Sequence, residues 1–114
     1  MAIDEVRALK LLGGNHELLQ QLAGIFAEDS IQLVNEFEQA VSRHDSLSAG
    51  HAIHSLKGIT ATFCAETEVN LFGLVEQAAS RADWSRLETA RVEIKDAVAA
   101  IVRDMHERSW LVGV

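Results

Sequence analysis

Residues 47 to 63, Leu-Ser-Ala-Gly-His-Ala-Ile-His-Ser-Leu-Lys-Gly-Ile-Thr-Ala-Thr-Phe, place an imidazole, His54, three positions before an ammonium, Lys57. On a helix that spacing puts the two on one face, one turn apart. The same row holds Gly50, Gly58 and Ala61, which have almost no side chain. Two glycines inside a helix cost roughly 1 kcal/mol each relative to Ala, so they call for a reason. Small residues around a histidine leave its ring standing clear, where another surface can come close to the ring nitrogens. Lys57 can reach an anion carried on that ring. An accessible nucleophilic imidazole with a cation beside it suits transient phosphoryl transfer.

Other chemistries fit these residues less well. His51, one turn before His54, is followed at i+3 by a second histidine and at i+4 by Ser55, with no cation or glycine. It is taken as a flanking interface residue. A transition-metal site needs three or four ligands, and the His51–His54 pair has no carboxylates at matching spacing. Ser55 has no triad partners or oxyanion loop to make it a hydrolytic nucleophile. Gly13-Gly14 lacks the following Lys-Ser/Thr of a phosphate-cradling loop, and no other nucleotide-binding motif occurs.

His54-Ser55-Leu56-Lys57-Gly58 resembles the signature of histidine-containing phosphotransfer (HPt) domains, the relay modules of two-component signalling. The likeness extends to Asp45 nine residues upstream, to Leu74-Val75-Glu76-Gln77-Ala78-Ala79 and Ala82-Asp83-Trp84 downstream, and to Leu11 through Leu19 near the N-terminus. It covers roughly residues 4 to 105. One departure is Cys64, which stands where the family usually has a glycine, so the helix exit there is expected to take a different shape.

The resemblance implies a phosphorelay intermediate. A receiver-domain aspartyl phosphate would dock over the Gly50, His51, Gly58 and Ala61 row, neutral His54 would accept the phosphoryl group, and a second receiver aspartate would take it back. Lys57 would disfavour a cationic ring and steady the phosphoryl oxygens. No intrinsic cofactor is expected; Mg²⁺ would come with the receiver. A hybrid sensor histidine kinase in cis is a further expected partner. No autonomous kinase activity is expected, so the chain would be a carrier more than an enzyme. Two rival readings are the substrate domain of a chemotaxis-type kinase, charged from ATP by a separate catalytic domain, and a receiver-binding adaptor that accepts no phosphate.

Composition narrows the classes. Ten Lys and Arg face 17 Asp and Glu, a formal charge of −7, which argues against nucleic acid or an anionic membrane surface as partner. Cys64 is the only cysteine, so no internal disulfide forms and a reducing compartment is expected; as a side chain it should behave as a small buried hydrophobe. No apolar run approaches the ~20 residues that span a bilayer, and Asp4-Glu5 so soon after Met1 does not fit a secretory leader. A cytoplasmic domain without direct membrane contact follows, whether free or the cytosolic part of a membrane-bound sensor.

The elements that hold His54 are helices. Proline and tyrosine are absent, and nothing breaks long 3.6-residue periods. A leader helix is predicted over 4–12, with Ile3, Val6, Leu9 and Leu12 inward, stopped by Gly13-Gly14. Asn15 caps a helix over 15–43 whose face is Leu19, Leu22, Phe26, Leu33, Phe37 and Val41, interrupted by Ser30. Asp45 or Ser46 caps the next, over 46–63, with Ala49, Ile53, Leu56, Thr60 and Phe63 inward. After a weakly marked turn at Cys64-Ala65, a helix over 66–81 faces inward with Val69, Phe72, Val75 and Ala79, widened by Leu71, Leu74 and Ala78. Asp83 caps the last, over 84–107, faced by Leu87, Ile94, Val98, Ile101 and Met105. Short polar turns between long helices predict an all-α single domain over 1–114: an antiparallel up-down-up-down four-helix bundle with a leader helix. The stripes fit one bundle, hence a monomer. The apolar tail from Ser109 to Val114 has no periodicity.

Overall fold

Four polar side chains start four of the helices. Asp4, Asn15, Asp45 and Asp83 each accept a hydrogen bond from the backbone N–H three residues on, at 3.0 to 3.2 Å, satisfying donors that a helix start leaves open. Asp45 also accepts from the Ser48 hydroxyl at 2.7 Å. The helices of this computed structural model, which describes residues 2–111, are α1 (Glu5–Leu11), α2 (His16–Ser42), α3 (Ser46–Ala61), α4 (Glu66–Ser80) and α5 (Trp84–Glu107). Helix α4 begins at Ala65 without a side-chain cap and carries Glu66 and Glu68 in its first turn, where the helix dipole favours them.

The exits are sharper than the sequence suggests. His44, Cys64, Ala82 and Ser109 follow the four long helices with φ between 51° and 61°. The left-handed residue lets Asp45 and Asp83 donate their backbone N–H to Ala40 and Ala78, each at 2.9 Å, closing the helix end. A non-glycine residue adopts this region at a cost of about 1–2 kcal/mol. Cys64 therefore takes the conformation that a glycine adopts freely. The chain breaks sharply at Cys64, between α3 and α4. Helix α3 accordingly ends at Ala61, leaving Phe63 outside the helix but fully buried.

In the bundle α2 and α4 each pack against both α3 and α5, and the molecule measures 41 × 27 × 20 Å. Connections of a few residues make sequence neighbours antiparallel. The expected faces of α3 and α5 are buried in full, and Phe26 and Phe63 meet edge to face at 5.6 Å. Two faces need correction. In α1 the buried residue is Ala8, and Val6 is exposed; in α4 Leu74 is 58% exposed. Each apolar side chain lies just outside the arc that a neighbouring helix covers.

A polar clamp at the far end of α5 was not expected. Asp104 is buried; its Oδ2 accepts from the Ile3 N–H at 2.9 Å and its Oδ1 from Arg108 Nε at 3.0 Å. Arg108 also donates to Glu5 Oε1 at 2.6 Å and to the Ile3 carbonyl at 3.2 Å, and lies over the buried Trp110 ring at 5.4 Å. The tail thus folds back on the bundle as far as Leu111, while residues 112–114 of the expected tail lie outside the described residues. Burial pushes the Asp104 carboxyl up, but the bonds from Ile3 and Arg108 and the guanidinium charge prevail and hold it below the usual carboxylate range. A depressed folded pKa means stabilisation that is complete above about pH 4 and lost as pH falls through the folded value. Asp104→Ala should lower unfolding free energy by about 2 kcal/mol at pH 7, because it leaves the Ile3 N–H without its acceptor and takes one of two carboxylates from Arg108, which keeps Glu5. Urea melts at pH 7 and at pH 3 check this: the gap from wild type narrows at the acid value, and an equal gap at both would remove the ionised carboxylate from the account.

Candidate functional site

Helix α3 is set by its buried stripe, and that stripe turns His54 outward. Ile53 and Leu56 are almost wholly enclosed; His54 lies about 100° round the helix from Ile53 on the side away from Leu56, and its side chain is 68% exposed. Gly58 and Ala61 are exposed on the same face, His51 is exposed one turn earlier, and Gly50 is half-buried. Gly50 lies close to α4: a methyl group there would stand 3.7 Å from the Ala79 Cβ, an ordinary contact. At Gly58 a Cβ would meet nothing within 4 Å. The bundle's own packing therefore does not call for glycine at 58, and the open space above it is available to an approaching surface.

The residue that organises the site lies on the neighbouring helix and was not among the sequence candidates. Glu76 of α4 bridges the two expected residues, with Oε2 at 2.8 Å from His54 Nδ1 and Oε1 at 2.5 Å from Lys57 Nζ. It is the single charged residue between Val69 and Ser80, and that isolation was the available signal. Only the packing of α3 on α4 shows which imidazole it reaches. Donation by the Lys57 ammonium holds the Glu76 carboxyl below the usual range; partial burial opposes this and the bond to the His54 ring reinforces it.

An ionised carboxylate can only accept hydrogen bonds. Nδ1 must then carry the proton, and in the neutral ring the lone pair is on Nε2, the nitrogen away from Glu76. The sequence reading placed Lys57 as the charge acting on the ring. In the structure the ring's bonded charge is the carboxylate, and the ammonium is held by that same carboxylate. Lys57 remains on the His54 face, 32% exposed, in reach of an anion arriving there.

Around the imidazole the surface is mostly apolar. A shallow concavity of about 480 Å³ is lined by Ser46, Leu47, Gly50, His51, Ala79 and Ser80 together with His54 and Glu76. Leu47 at one side is 70% exposed. Helix α3 contains no acidic residue, although the chain carries a charge of −7. The carboxylate bordering the concavity is Glu76, from α4. No helix among the described residues is long and apolar enough to cross a membrane.

The family model described as Hpt domain matches residues 21–104, from the second turn of α2 to near the end of α5. No curated protein and no solved structure matches the chain.

Proposed function

The chain belongs to the Hpt-domain family, whose members carry out histidine phosphotransfer in two-component systems and interact with receiver domains of response regulators, and on that premise we propose that His54 relays a phosphoryl group between two receiver aspartates. The observation that carries the reading is the bond of His54 Nδ1 to Glu76 on an exposed ring, which in the neutral imidazole puts the lone pair on Nε2.

The steps follow from the geometry. A receiver seats its acyl phosphate over the acid-free α3 face. The Nε2 lone pair of His54 forms the N–P bond as the P–O bond to the receiver aspartate breaks, and that carboxylate leaves with the electron pair. The ring becomes cationic with its proton still on Nδ1, where the Glu76 carboxylate at 2.8 Å stabilises it. Lys57 turns its ammonium from Glu76 towards the phosphoryl oxygens, an exchange of one charge-assisted bond for another. The reverse sequence hands the group to a second aspartate. Such transfers rest mainly on positioning and charge neutralisation. No group of three or more metal-ligating side chains lies together among the described residues, so the proposal leaves Mg²⁺ with the receiver's acidic pocket. It also takes the domain as a cytoplasmic monomer, since the apolar stripes close into one core.

Mixing the domain with a radiolabelled phosphorylated receiver and Mg²⁺ tests this. Label should pass to the domain as an acid-labile, alkali-stable adduct, and Lys57→Ala should slow its arrival roughly ten- to a hundredfold. Label that arrives only from ATP with a catalytic domain would favour the chemotaxis-type kinase reading, and none from either source the adaptor.

A further inference from the structure

The face opposite His54 holds a feature that phosphotransfer does not use. Among the described residues, helices α2 and α5 leave an open groove of about 790 Å³ between them, with Leu111 in its lining, within the range of small-molecule sites, roughly 300–1,000 Å³. Its walls are largely apolar and include Val34, Val98 and Val102. At its floor is Ser30, which interrupts the inward stripe of α2. Ser30 is 0% exposed, and its Oγ has no hydrogen-bond partner among the described residues. A helical serine can satisfy itself on the carbonyl one turn back, as Thr60 does on Leu56 at 2.7 Å; Ser30 does not. A fully buried hydroxyl without a partner is rare and costly.

We propose that the α2–α5 groove, floored by Ser30, binds a small uncharged molecule that is largely apolar and carries one oxygen able to hydrogen-bond. The charges at the rim select against an anion. Lys95 is paired with Glu38 at 2.6 Å, Glu28 adds a further negative charge, and the remaining ionisable group of the lining is His106. A carboxylate entering the groove would meet net negative charge and lose its hydration. A neutral alcohol or ketone would bury its chain against the valines and, with the Ser30 side chain turned towards the groove, give its Oγ the partner it lacks.

A ¹H–¹⁵N NMR titration of the whole chain with 1-octanol, run beside octanoate, tests the proposal. Octanol should produce saturable shifts confined to the groove-lining stretches of α2 and α5, leaving His54 and Glu76 unmoved, and octanoate should bind more weakly. Ser30→Ala should weaken octanol binding roughly fivefold, the worth of one hydrogen bond. Ala99→Trp, a substitution at an exposed position on the groove wall, should abolish the shifts while the rest of the spectrum is retained. Shifts that do not saturate, equal binding of octanoate, or unchanged affinity in Ser30→Ala would each overturn the proposal. So would groove shifts that appear on raising protein concentration alone, which would assign the groove to a second copy of the chain.

Discussion

His54→Gln is expected to take up no phosphoryl group from a phosphorylated receiver while keeping the fold and the melting temperature of the parent. Glutamine has no aromatic nitrogen lone pair to offer phosphorus, so the loss should be complete. The ring is 68% exposed and its one hydrogen bond lies at the surface, where such bonds contribute little to stability. Circular dichroism and a thermal melt check the fold, and radiolabel transfer checks the chemistry. His51→Gln is the informative companion. His51 lies one turn away and borders the same concavity, but among the described residues no hydrogen bond ties its ring to a carboxylate. It should retain uptake, with a weaker complex the expected change. Label kept by the first variant and lost by the second would move the acceptor one turn along α3.

The second large effect is expected on α4. Glu76→Gln should slow transfer roughly ten- to a hundredfold, by analogy with the loss of a carboxylate that orients a metal-bound histidine. Glutamine is nearly isosteric, so the loss is one of charge and donor polarity. Its amide can turn an N–H towards Nδ1, which favours the tautomer with the proton on Nε2 and blocks the attacking lone pair. It also cannot stabilise the cationic phosphohistidine. Glu76→Ala removes the restraint without imposing the wrong tautomer, so it should be no slower than Glu76→Gln despite the larger truncation. Imidazole ¹⁵N chemical shifts separate this from a structural defect: the parent should show its proton on Nδ1, and Glu76→Gln a shift of that population towards Nε2. A parent-like transfer rate in Glu76→Gln would leave the carboxylate a mere surface pair.

Much of the molecule was legible in residue order because it is governed by local rules. Helix starts follow from Asp4, Asn15, Asp45 and Asp83, whose side chains bond three residues along the same chain. The α3 stripe from Ala49 to Phe63 is a matter of angular spacing, and that spacing alone turns His54 outward. Break points were harder. The turn at Cys64-Ala65 has neither glycine nor proline, and its left-handed residue is imposed by the packing on either side of it.

By itself the sequence determined five helices, their order, the inward faces of α3 and α5, and an accessible imidazole with an ammonium on the same face. Tertiary structure alone decided what that imidazole is bonded to. Glu76 lies 22 residues from His54, and Asp104 reaches Ile3 across 101 residues. No periodicity along one helix reports which side chain of another will face it. That depends on the relative rotation and offset of two packed helices, which the whole core sets at once. Which ring nitrogen of His54 meets Glu76, and which one faces away from it, follows from that packing.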